Sequence, residues 1–152
     1  MRIEWIEKEG LTEEDLERVR MQLDMMMLSR HKHIISLLDF YELPDCFLLA
    51  RPAYDLMQNV AEYAFSKGGL IPEVEVRIIV SQIAKALYYL KDLGIFHGDI
   101  KPSNIYVLRG VERGLHVAIG GHFEAAMLVR AGVEVIGDLR YMAPELLHIR
   151  PT

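Results

Sequence analysis

Cysteine is almost missing from this sequence: Cys46 is the only one in 152 residues. A lone thiol excludes an internal disulfide, so packing must hold the fold, and Cys46 itself reads as a packing residue. Basic residues are also scarce, 17 Lys and Arg against 22 Asp and Glu for a formal net charge of −5, which argues against a nucleic-acid partner. No apolar run approaches the ~20 residues needed to cross a bilayer, and the start is not leader-like. No membrane association is therefore expected, and a cytoplasmic location is. Six histidines are present, yet no His, Cys or carboxylate set has metal-ligand spacing. His31 and His33 read as a polar loop after a helix. From Gly121 to Glu145 there is no serine or threonine, which leaves Tyr141 as the one hydroxyl of that stretch.

What is present is enough for a core. Hydrophobic residues make up 51% of the chain, and its length suits one domain-sized unit. The strongest periodic segment runs from 71 to 95. Pro72 suits a first helical position, Glu73 and Glu75 suit the positive end of the helix dipole, and Val76, Ile79, Val80, Ile83, Leu87 and Leu90 recur at three- and four-residue steps. That stripe is expected to pack in the core. Thr12-Glu13-Glu14-Asp15 reads as a capping-box start for a second helix, with Leu16, Val19, Leu23, Met26 and Met27 as its apolar face. Residues 105–108 and 115–119 read as two short strands joined by a polar, glycine-bearing turn.

Between the long helix and that hairpin lies L-G-I-F-H-G-D-I-K-P-S-N-I-Y-V-L, residues 93–108. A surface turn could produce D-x-K-P-x-N for backbone reasons alone. The flanking order tells against that. Ala143-Pro144-Glu145 closes a G-D-L-R-Y-M-A-P-E stretch downstream, and H-K-H-I-I-S-L-L-D-F-Y-E follows the first helix upstream. Taken together, the chain resembles the protein kinase-like family, of serine/threonine type and closest in flavour to the NIMA-related (Nek) kinases. The resemblance implies an α+β, protein kinase-like fold that is partial: the end of a small lobe over 1–50 and the first half of a large lobe over 51–152. It also implies roles. Asp99 would accept the substrate proton, Lys101 would neutralise the transferring phosphoryl group, Asn104 would hold a magnesium ion, and Ala50 and Tyr106 would line the adenine pocket.

Five positions depart from the family pattern. Gly98 replaces the catalytic-loop arginine, and Gly121, in Gly121-His122-Phe123, stands where the metal-holding aspartate belongs. Counting back from His31 puts Gln22 at the glutamate of the regulatory helix. Ile6 takes the place of the ATP-binding lysine, with Lys8 two residues on and facing the same way. Asp138 replaces a threonine and sets a negative charge near Asp99. The expectation is a catalytically impaired pseudokinase that acts by binding a protein partner and holds no cofactor tightly. The alternative is a weakly active serine/threonine kinase using ATP and Mg2+, with Asp99 as base and Asn104 on a single metal. Small-molecule phosphotransferases of the aminoglycoside-kinase type, which share H-G-D and a spaced asparagine, rank third. The partial coverage leads to a further expectation: the isolated chain is a dimer, a partner-dependent fold or a poorly stable monomer.

Overall fold

The computed structural model describes residues 1–54, 57–109, 114–120, 138–142 and 144. Three strands form the first sheet, β1 (Arg2–Glu7), β2 (Asp39–Glu42) and β3 (Cys46–Arg51), with β3 central and antiparallel to both neighbours. Helix α1 (Glu13–Leu28) lies between β1 and β2 in the chain. Its start is the capping box expected from Thr12: the threonine side chain accepts from the Asp15 amide, and the Asp15 carboxylate accepts from the Thr12 amide. The second sheet is β4 (Met57–Asn59), β5 (Ile105–Leu108) and β6 (His116–Ile119), all antiparallel in that order. Helix α2 (Val60–Ser66) follows β4 directly, with Asn59 and Glu62 forming its own capping box.

The long helix α3 spans Glu73–Asp92. Pro72 serves as its N-cap rather than its first residue, because the Pro72 carbonyl already accepts from the Glu75 and Val76 amides. At the other end the chain breaks out at Gly94, whose φ of 71° lies in the left-handed region that glycine tolerates. The Ile95 amide then reaches back to the Leu90 carbonyl at 2.9 Å. The buried stripe of α3 is Ile79, Ile83, Ala86 and Leu90, with Leu87 partly buried beside it. Val76 and Val80 depart from the expected stripe. They are 40% and 61% exposed, because the contact line follows the 79-83-86-90 spacing and leaves both on its flank. That stripe joins Leu23 and Met26 of α1, Phe47 and Leu49 of β3, and Val107, Val117 and Ile119 of the hairpin in one core. Each such fully buried side chain contributes roughly 1.5–3 kcal/mol.

Candidate active site

The core places the loop that follows α3. Ile95 is buried, and two residues on, the His97 ring is buried as well. His97 Nε2 meets the Gly120 carbonyl at 3.0 Å, and its Nδ1 accepts from the Asp99 amide at 3.3 Å. One ring therefore ties the loop to the end of β6 and orients the backbone at Asp99. Burial pushes the His97 pKa below the ordinary imidazole value, against the opposing pull of the Gly120 carbonyl and the Asp99 charge. Gly98 has φ of 78°, so the residue standing where the family has arginine sits in the left-handed region.

Asp99, Lys101 and Asn104 are brought together. Lys101 Nζ lies 2.7 Å from Asp99 Oδ2, and Asn104 Nδ2 donates to the same oxygen at 2.6 Å and to the Asp99 carbonyl at 2.9 Å. The short 3₁₀ turn Pro102–Asn104 makes this possible, since it brings Asn104 back over the loop before β5 begins. Asn104 and Gly120 are also neighbours: the Gly120 amide donates to the Asn104 carbonyl at 2.8 Å, and Ile105 pairs with Ile119. A narrow cleft at the loop is lined by Gly98, Asp99, Ile100, Asp138, Tyr141 and Met142. At its edge, the Arg140 guanidinium binds Asp138 at 2.7 and 3.0 Å and holds its carboxyl down at about 2, with the more distant Lys101 acting in the same direction. The negative charge expected beside Asp99 is thus paired within its own turn.

The remaining positions lie apart from this cluster. Tyr106 packs with Tyr54 against Ile35, Leu108 and Ala118, and its ring runs so close to Gly120 that a Cβ there would stand 2.8 Å from Tyr106 Cε2. Ala50 is buried in β3, paired with Ile3 and Asp39. Ile6 packs on the main core, and Lys8, just past the end of β1, is bound to Glu42 at 2.7 Å. Gln22 is half-buried on α1. Gly121 lies outside the described residues. Strand alternation also puts Glu4 on the face of Ile6, where it meets the nearly buried Arg51 at 3.0 Å, a pair separated by 47 residues and so invisible to local pattern reading.

The loop, its hairpin and the helix ahead of it occur in the order found in one family, and a protein kinase domain profile matches residues 3–152. The chain belongs to the protein kinase domain family. Serine/threonine-protein kinase 36 of Pongo abelii is 30% identical over 151 residues, covering 98% of this chain and 11% of that protein. Serine/threonine-protein kinase TIO of Arabidopsis thaliana is likewise 30% identical, with the same coverages. Serine/threonine-protein kinase fused of Drosophila melanogaster is 28% identical over 154 residues, covering 98% of this chain and 18% of that protein. The crystal structure of Rad53 1–466 with AMP-PNP superposes with a TM-score of 0.70 at 23% identity, over 80% of this chain and 31% of that one. The fold is therefore a partial protein kinase fold, and the chain spans a small part of the length of each of these relatives. For a kinase domain, ATP and Mg2+ are the cofactors of any phosphotransfer.

Proposed function

We propose that this kinase-like domain is catalytically impaired and acts by binding a protein, with its catalytic loop kept as a structural element. The observation that carries this reading is the internal satisfaction of the loop. Asp99 Oδ2, one of the two carboxylate oxygens that could receive a substrate proton, accepts from both Lys101 and Asn104. At the end of β6, beside Asn104, stand Ile119 and Gly120, neither of which offers a carboxylate. Magnesium sites are built on one or two carboxylates in a near-octahedral oxygen set. Among the described residues, the carboxylate bonded to Asn104 is that of Asp99, which also carries Lys101, so a metal there would have to displace these partners. Loss of one preorganised charge costs typically a hundredfold to a thousandfold, and two such losses take a kinase rate of ~1–100 per second to roughly a thousandth per second or less. The exposed side of α3, with Val74 64%, Val80 61% and Tyr88 65% exposed, offers apolar surface of the kind protein partners cover.

A second reading, weak serine/threonine phosphotransfer, is favoured by the proximity of Asp99, Lys101 and Asn104. An aromatic at Tyr106 adds a Nek-like flavour to either. Phosphate transfer from radiolabelled ATP to a generic protein substrate tests the choice. The impaired reading predicts no transfer above background and no difference between the wild type and Asp99→Asn. Slow transfer that Asp99→Asn abolishes would establish the second reading instead.

A further inference from the structure

Two buried histidines that the catalytic loop does not use face each other across the joint between the segment after α1 and strand β6. The His33 and His116 rings lie 4.9 Å apart, each only 2% exposed. Their contacts are reciprocal. His33 Nδ1 bonds the Val117 carbonyl of β6 at 2.8 Å, while His116 Nε2 of β6 bonds the Lys32 carbonyl at 3.0 Å. Backbone bonds extend the joint: the Ile119 amide donates to the His33 carbonyl, the Ile35 amide donates to the Ile119 carbonyl, and Ile34 and Ile119 form a parallel bridge. The same strand is followed by Gly120, whose carbonyl meets His97 and whose amide meets Asn104. The joint therefore borders the loop that holds Asp99.

We propose that His33, packed on His116, forms an acid-sensitive clasp, which fastens residues 32–35 to β6 when the His33 ring is neutral and loosens when that ring is protonated. A neutral imidazole has one N–H, and each ring already spends it on a carbonyl of the opposite segment. A second proton on His33 would have to be carried inside the core. Among the described residues, the charged and titratable groups that reach His33 are His116 from β6 and Lys32 and His31 from its own segment, and no carboxylate is among these. From α3, Tyr89 stacks on His31 at 5.1 Å, and Gln82 holds the backbone of β6 through the Val117 amide. Burial, then these neighbours, hold His33 below the ordinary value of 6.5 despite the opposing carbonyl bond. A histidine whose folded pKa is lowered gives stability that is present above the unfolded value and lost as pH falls below it. The clasp is thus closed at neutral pH and weakens from about 6.5 downward.

Amide hydrogen exchange on the intact chain, corrected for intrinsic rates, tests this without relying on any activity. Between about pH 7.5 and about pH 5.5, protection of the Ile35 and Ile119 amides is expected to fall about tenfold, while that of Ile83 within α3 holds. Unchanged protection at Ile35 and Ile119, or an equal fall at Ile83, overturns the proposal. The variant His33→Gln keeps an N–H donor at that site and removes its titration, so its Ile35 and Ile119 protection should no longer respond to pH; a full response in a folded variant would also overturn it. Should that variant not fold, the wild-type comparison decides alone.

Discussion

The two ends of the β5–β6 hairpin meet at one place but differ in chemistry. The entry end, residues 97–104, keeps an ammonium and an amide within hydrogen-bond reach of one carboxylate. The exit end, Ile119 and Gly120, is apolar, with Ile119 completely buried and Gly120 held by its backbone to His97 and Asn104. Polar residues in such a loop persist for either of two reasons, chemistry or mutual satisfaction. Here the second is visible: the entry end is bonded to itself and to the backbone of the exit end. A site built for phosphotransfer needs charge from both ends, and only one supplies it among the described residues.

The largest expected effect lies at the exit. A Cβ at Gly120 would stand 2.8 Å from Tyr106 and 3.1 Å from Ile35, so Gly120→Ala should destabilise by about 1–3 kcal/mol in urea unfolding. Tyr106→Leu in the same chain should recover most of that loss; no loss in Gly120→Ala would show that the exit end is loosely packed. At the entry, Asp99→Asn removes the charged acceptor shared by Lys101 and Asn104. It should cost about 1–3 kcal/mol by the same measurement, a cost that a purely chemical aspartate would not carry. Gly98→Arg restores the family residue at a left-handed backbone position and should cost about 1–2 kcal/mol, with no gain of activity. The smallest effect is in acid. Asp138 is held at about 2 by Arg140, so its contribution is present above the unfolded value of 3.8 and is lost as pH falls from there toward about 2. Its partner Arg140 is largely exposed, and solvent screens the pair. Only a shallow slope in the acid limb should result, which Asp138→Asn should flatten.

Much of this was legible in the residues because the signals are local. The Thr12 capping box, the long periodic helix and the hairpin after the loop each depend on neighbours in sequence, and all three are observed. The loop cluster of Asp99, Lys101 and Asn104 was legible for the same reason. Strand β4 was not, since three residues carry no readable alternation and Met57–Asn59 acquires its strand character by pairing with β5. The exposure of Val76 and Val80 was hidden too, because periodicity marks an apolar face without saying how wide a neighbour covers it. Contacts across long separations left no trace in the pattern. Glu4 with Arg51, and His33 and His116 with backbone 84 residues away, became visible only once the sheets were assembled.

Calorimetric titration of ATP into the purified chain, with and without Mg2+, addresses the contrast between the two ends most directly. A loop bonded to itself, beside an exit whose described residues Ile119 and Gly120 carry no carboxylate, predicts no tight nucleotide binding and no enhancement by the metal. A magnesium-dependent dissociation constant in the low micromolar range would show that both ends still cooperate in holding a nucleotide, and would contradict the assignment of Asp99, Lys101 and Asn104 to a structural role.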